Sequence, residues 1–105
     1  YTKSINNRKV ITPSKQTNVE HIYHQYTLIV DNRVRFTNYL NKNGIPFGVY
    51  YPQPTYMQPA ARDKIRSLPK LKITEEVCMK CVSIPMFPEL TKQEQEVIIN
   101  IVNDY

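Results

Sequence analysis

Three prolines crowd one short stretch of the chain, GVYYPQPTYMQPAA, from Gly48 to Ala61: Pro52, Pro54 and Pro59. Each lacks the backbone N–H that a strand ladder or a helix interior requires. No regular ladder runs through this stretch, so whatever folds before it must meet whatever folds after it around a loop. The loop also carries Tyr50, Tyr51 and Tyr56 with Gln53 and Gln58, a side-chain set too elaborate for a plain connection.

Upstream, HIYHQYTLIV places Ile22, His24, Tyr26, Leu28 and Val30 on one side of a period-two alternation. Its β-branched and aromatic content predicts a strand over His21–Val30. Asp31 and Asn32 offer N-caps for a helix whose apolar stripe is Phe36, Tyr39 and Leu40, and Asn43-Gly44 supplies a left-handed stop. Ile45, Phe47, Val49 and Tyr51 alternate again, predicting a second strand. The connection from Asp31 to Gly44 is long enough for a crossover. The two strands are therefore expected to run parallel, or to be separated by another strand.

Downstream of the loop a short helix is expected near Thr74–Lys80, capped by Thr74. VSIPMF, Val82 to Phe87, predicts a third strand with Pro85 at an edge. Thr91-Lys-Gln-Glu94 is a capping box before the apolar stripe Val97, Ile98, Ile101 and Val102. The expected class is α+β, a sheet of three or more strands covered by helices in the order β-α-β-(loop)-α-β-α. Residues 1–18, with Asn6, Asn7, Pro13, Ser14 and Asn18, are expected to be a frayed polar end or a linker, leaving residues 19–105 as the domain proper. With no Met at its start, the chain is expected to be a piece of a longer polypeptide.

At 105 residues the chain suits one small domain. Its +5 net charge permits an acidic or nucleic-acid partner without requiring one. The basic residues are dispersed apart from a loose cluster of Arg62, Lys64, Arg66, Lys70 and Lys72, expected to be a solvated face. A stand-alone basic module binding nucleic acid or a protein is the rival reading, with Tyr23, Tyr26, Tyr50, Arg33 and Arg35 as its contacts. No stretch approaches the ~18 apolar residues of a membrane span. The two cysteines point to a reducing, cytoplasmic setting.

Cys78-x-x-Cys81 is half of a zinc site, but His21 and His24, three apart on the predicted strand, face opposite ways and complete no ligand set. A redox pair wants a helix N-terminus, and these cysteines fall at a helix end. They are expected to be small core residues on one helix face. His24 is expected to be a hydrogen-bonded strand histidine. With two glycines in all, no glycine-rich phosphate loop forms, and no lysine is marked as a Schiff-base former. The proline loop is the exception. Tyrosine rings stack and their hydroxyls hydrogen-bond, glutamine donates and accepts, and prolines limit the entropy lost on binding. That composition suits a wall facing a polar ring compound, and equally a stiff surface loop packed on its own domain.

EHIYHQYTLIV, NRVRFTNYLNKNGIPFGVYYPQPTYMQPA and CVSIPMFPELTKQEQEVI, in that order, resemble the C-terminal part of the DegT/DnrJ-type sugar aminotransferases, from about Ile11 to Tyr105. The family pattern is a strand with H-x-x-H-Q-Y, a helix ending N-G-I, a His-Tyr-Pro-x-Pro-x-His-x-Gln loop and a late S-L-P-M-x-P-E-L-T. The resemblance implies the small C-terminal domain of the aspartate-aminotransferase fold. It implies a parent enzyme that uses pyridoxal phosphate to move an amino group from glutamate to a nucleotide-linked keto-sugar, for lipopolysaccharide or other glycoside synthesis. The Schiff-base lysine would lie in a large N-terminal domain that this chain lacks. The chain alone would then have no catalytic residue, bind no cofactor or metal and be inactive, and residues 1–18 would be a remnant of the interdomain connection. The parent's partners would be a second subunit and the nucleotide-sugar, with neither nucleic acid nor membrane. The substrate-binding residues implied are Tyr50, Tyr51, Tyr56 and Gln58. Tyr50 and Tyr56 stand where the family often has histidine, which removes a group titrating near neutral pH. Gln25 and Tyr26 match the strand motif, where a structural role is implied.

Overall fold

A computed structural model of the chain describes residues 1–65 and 70–105. Arg66, part of the basic cluster, lies outside them. The first strand, β1 (Val10–Ile11), pairs antiparallel with β2 (Tyr26–Val30), which pairs antiparallel with β3 (Cys81–Ile84), giving the order β1-β2-β3. The helices are α1 (Arg33–Lys42), α2 (Pro59–Arg62), α3 (Lys72–Lys80) and α4 (Lys92–Asp104), with a 3₁₀ turn at Thr55–Met57. The class is α+β, as the sequence predicts.

Side-chain alternation gives the sheet two unequal faces. Tyr26, Leu28 and Val30 point one way, and their cross-strand partners Ile84, Val82 and Val10 share that face. All six are buried, and they form one core with Phe36 and Leu40 of α1 and Ile98 and Val102 of α4. Burying a Leu, Phe or Val side chain is worth about 1.5–3 kcal/mol, so this layer supplies most of the driving force. The opposite face carries Ile11, Thr27, Ile29, Cys81 and Ser83, of which Ile11 is 65% exposed.

Local signals set the ends of α1 and α4. The Asn32 side chain accepts from the Arg35 N–H at 2.9 Å. After α1, Ile45 N–H reaches Leu40 O at 3.0 Å and Gly44 N–H reaches Asn41 O at 3.1 Å, the paired bonds of a Schellman stop, with Gly44 at φ 70°. Thr91 and Glu94 form the predicted capping box, each bonding the other's backbone N–H. The closing stripe differs in detail, since Val97 is 52% exposed.

The first predicted strand starts five residues late. Tyr23 sits at φ 47° and its N–H bonds His21 Nδ1 at 2.9 Å, and a left-handed residue turns the chain out of any ladder. His21–Gln25 is therefore irregular, and Ile22 is 86% exposed. The second predicted strand, Ile45–Tyr51, shrinks to one antiparallel bridge between Gly48 and Ser83. β3 thus stands between β2 and the Gly48 segment, the separated arrangement of the two expected. α3 begins at Lys72, after the N-cap Leu71 and with no side-chain cap bond, so Thr74 is interior. β3 stops at Ile84, because Pro85 offers no N–H.

Residues 1–11 pack onto the body instead of fraying. Ile5 and Val10 are buried. Asn7 Nδ2 donates to Val102 O at 2.9 Å, Asn103 Nδ2 donates to Ser4 O at 3.0 Å, and the Tyr1 hydroxyl donates to Pro85 O at 3.0 Å. Polar residues read as linker are here the bonding groups that hold the segment down.

Phe36→Ala removes the largest α1 side chain from the core, and urea unfolding is expected to show a loss of about 3–5 kcal/mol. The base limit follows from two phenols. Burial, then the neighbouring Tyr26, push Tyr1 up to about 12, and burial raises Tyr26. A raised folded-state value gives stability that is complete below the free-tyrosine range and is lost as pH climbs through the folded value. Unfolding midpoints are expected to hold up to about pH 10 and to fall between there and about 12, less steeply in Tyr1→Phe.

Candidate functional site

The Gly48–Ser83 bridge is two short bonds, Ser83 N–H to Gly48 O at 2.7 Å and Gly48 N–H to Ser83 O at 2.9 Å. Beside it opens a cleft of about 400 Å³, lined by His24, Gln25, Phe47, Gly48, Tyr50, Ser83, Met86 and Phe87, with Pro46, Ile84 and Pro85. Ser83 is buried, and its hydroxyl pairs with that of Thr27 at 2.8 Å. The cleft thus has a hydrogen-bonded floor, apolar sides from Phe47, Met86 and Phe87, and polar tips from His24, Gln25 and Tyr50. Apolar walls with a few fixed polar groups are the usual make-up of a small-molecule site.

Tyr50 reaches the cleft because Gly48 has no side chain. A Cβ on Gly48 would lie 2.3 Å from Tyr50 Cε2, so the ring rests directly on the glycine backbone. The Tyr50–Tyr51 peptide bond is cis. The two rings meet edge to face, 5.9 Å apart at 71°. Tyr51 is 70% exposed, and its carbonyl accepts from Cys81 Sγ at 3.7 Å.

The remaining loop residues expected to bind substrate sit elsewhere. The Tyr56 hydroxyl donates to Glu75 Oε1 on α3 at 2.7 Å. Burial, followed by the Glu75 carboxylate, raises its phenol above the ordinary tyrosine range. Gln58 occupies the N-cap of α2 without a side-chain cap bond, and Pro59 takes the first helical position. Of the loop's three prolines only Pro54 is buried. The structure therefore brings Tyr50 to the cleft and draws Tyr56 away to α3.

His24 and Gln25 are the cleft residues that sequence reasoning set aside. His24 is exposed and precedes β2, so it is not a strand histidine. Gln25, for which the strand motif implies a structural role, lines the opening. Their signal was the strand motif itself, two residues upstream of the buried Tyr26. The cysteines also divide: Cys78 is on α3, and Cys81 opens β3 and is buried. They do not share a helix face. Among the described residues no group of three or more His, Cys, Asp or Glu could hold a metal.

A family model describing the DegT/DnrJ/EryC1/StrS aminotransferase family matches residues 1–103. The chain belongs to that family. A pleiotropic regulatory protein from Geobacillus stearothermophilus is 30% identical over 91% of this chain and 26% of its own length. The UDP-2-acetamido-2-deoxy-3-oxo-D-glucuronate aminotransferase of Pseudomonas aeruginosa is 32% identical over 93% of this chain and 26% of its own. The chain thus spans about a quarter of the length of these relatives of the DegT/DnrJ/EryC1/StrS family. The fold matches the crystal structure of S. venezuelae DesV in complex with a ketimine intermediate, with a TM-score of 0.85, 21% identity, and 91% of this chain and 26% of that one covered.

Aminotransferase chemistry raises the question of whether this chain's residues fit pyridoxal phosphate. A Schiff-base lysine must give up its proton near neutral pH. The described lysines are all exposed except Lys80, which is half-buried. Lys80 Nζ lies 2.9 Å from Glu76 Oε1 and 3.2 Å from Asp31 Oδ1, and these carboxylates raise its pKa further. That is the wrong direction, so the described lysines do not fit the group.

Gly48→Ala tests the ring contact. The clashing atoms are the far end of a half-exposed side chain, so the Tyr50 ring should leave the cleft while the fold survives. Tyr50 ring resonances are expected to move to solvent-like positions, with unfolding free energy changed by no more than about 1 kcal/mol.

Proposed function

We propose that the chain is the small C-terminal domain of a pyridoxal-phosphate-dependent nucleotide-sugar aminotransferase. In this reading Tyr50 and its neighbours form one wall of the sugar-nucleotide site. Tyr51 and Gln58 belong to the same loop and complete the wall toward a large N-terminal domain, which supplies the lysine and the cofactor. Two such chains would assemble as a homodimer in the cytoplasm, and the product would feed lipopolysaccharide or other glycoside synthesis. The isolated chain would be inactive. Residues 1–18 would lead in from the domain connection and 19–105 would form the small domain.

The observation that carries this reading is the placement of Tyr50 over Gly48 at a cleft with a hydroxyl floor and apolar sides. It is supported by family membership and by the named activity of the Pseudomonas aeruginosa relative. The exposed apolar groups agree with a missing contact surface: no α3 side chain is buried, and Ile73, Val77 and Met79 are 80%, 42% and 61% exposed. The radius of gyration, 15.7 Å, exceeds the roughly 13 Å of a compact chain this long.

The test joins this chain to an upstream lysine-bearing domain and measures amino transfer from glutamate to a UDP-linked keto-sugar. Tyr50→Ala is expected to raise KM for the sugar nucleotide roughly tenfold, the scale of one lost ring contact. Absence of transfer, with salt-dependent binding of single-stranded nucleic acid by the chain alone, would replace this reading with the basic binding module.

A further inference from the structure

We propose that α3 is a strut that sets the position of the cleft loop, and that Tyr56, Glu75 and Arg33 are positioning residues rather than ligand contacts. The inference rests on the substrate-wall reading above and deepens it. α3 contributes nothing to the core, since none of its side chains is buried. It lies against β2, and polar tethers add to that contact. From α1, Arg33 Nη1 donates to Cys78 O near the end of α3, a carbonyl left free by the helix terminus. From the loop, the Tyr56 hydroxyl donates to Glu75 Oε1 at 2.7 Å. One residue past α3, Cys81 Sγ donates weakly to Tyr51 O at 3.7 Å. The strut itself therefore touches the loop at Tyr56, and the first residue of β3, directly after it, lies against Tyr51, next to the ring over Gly48.

The hydrogen bonding of Tyr56 agrees with the positioning role. Its single proton is already given to a carboxylate, a charge-assisted bond stronger than a neutral one. A hydroxyl committed in this way has no proton for a sugar. Glu75, for its part, is spent on an internal partner. An element held by a few polar bonds and no buried side chains has low local stability. Loosening one tether should therefore release the loop without unfolding the core.

Hydrogen exchange on the 105-residue chain tests this. Tyr56→Phe and Glu75→Ala are expected to speed exchange of the loop amides Met57, Gln58, Ala61 and Arg62, which bond within the loop, by about tenfold. Glu75→Gln, which keeps an acceptor oxygen, should restore most of the protection. Arg33→Met should speed exchange in both α3 and the loop, and α4 should exchange as in the parent chain throughout. Loop exchange within twofold of the parent in both Tyr56→Phe and Glu75→Ala overturns the strut. So does acceleration that spreads equally to α4, which would mean simple destabilisation. In the joined polypeptide, Tyr56→Phe should raise KM for the sugar nucleotide with kcat kept, and Glu75→Gln should stay near the parent. An unchanged KM beside a loosened loop also overturns the positioning role. Failure of the substrate-wall reading looks different: Tyr50→Ala leaves KM unmoved while the loop still answers to Tyr56 and Glu75.

Discussion

Everything in this fold hangs on β2. It is the middle strand, five residues long, with Tyr26, Leu28 and Val30 fully buried on one face. β1 and β3 pair with its two edges. A slip of one residue would turn all three core side chains to the other face. That penalty locks the register, and the register then decides which residue of β3 stands beside which residue of the loop. The cleft is thus a consequence of core burial, and the core residue Ile84 is itself part of its lining.

The cleft is assembled by a different kind of interaction. Where the core uses apolar area, the loop uses a backbone bridge, one carboxylate–phenol bond and a ring lying on a glycine. Each is small beside the hydrophobic layer, and each is local. A domain of this size can hold its sheet firmly while leaving the wall of its cleft adjustable. The family to which the chain belongs is named for aminotransferases; under the function proposed above, such a division of labour would suit a segment that meets both a ligand and another part of the protein.

The parts legible in the sequence were those governed by neighbours in the chain. Asn32, Gly44 and the Thr91–Glu94 box announce the ends of α1 and α4, because a cap is satisfied within four residues. The parts that were not legible depend on distant partners. β1 is two residues long and exists because Val30 and Ile29 lie opposite it. The Gly48 bridge replaced a predicted strand because, in that segment, Gly48 alone makes a backbone bridge to β3. The alternation from His21 was real in composition, but Tyr23 turns the chain before a ladder can begin. The composition of the proline loop drew attention to Tyr50, which lines the cleft. It could not separate Tyr50 from Tyr56, because that difference lies in Glu75, nineteen positions away.

Thr27, Ser83 and Gly48 stand in one row across the sheet. Adjacent members of such a row are held at the strand spacing, about 4.8 Å, and cannot drift by fractions of it. The backbone distance from the central strand to the mouth of the cleft therefore comes in steps. A lineage that needs a wider or narrower opening has no continuous adjustment available in the main chain. It must change what stands on the row, a hydroxyl for a methyl or a ring for a shorter group. If the cleft is the wall proposed above, variation in what it accepts should accordingly be written in side chains at positions 24, 25, 50 and 86, against a frame that stays the same.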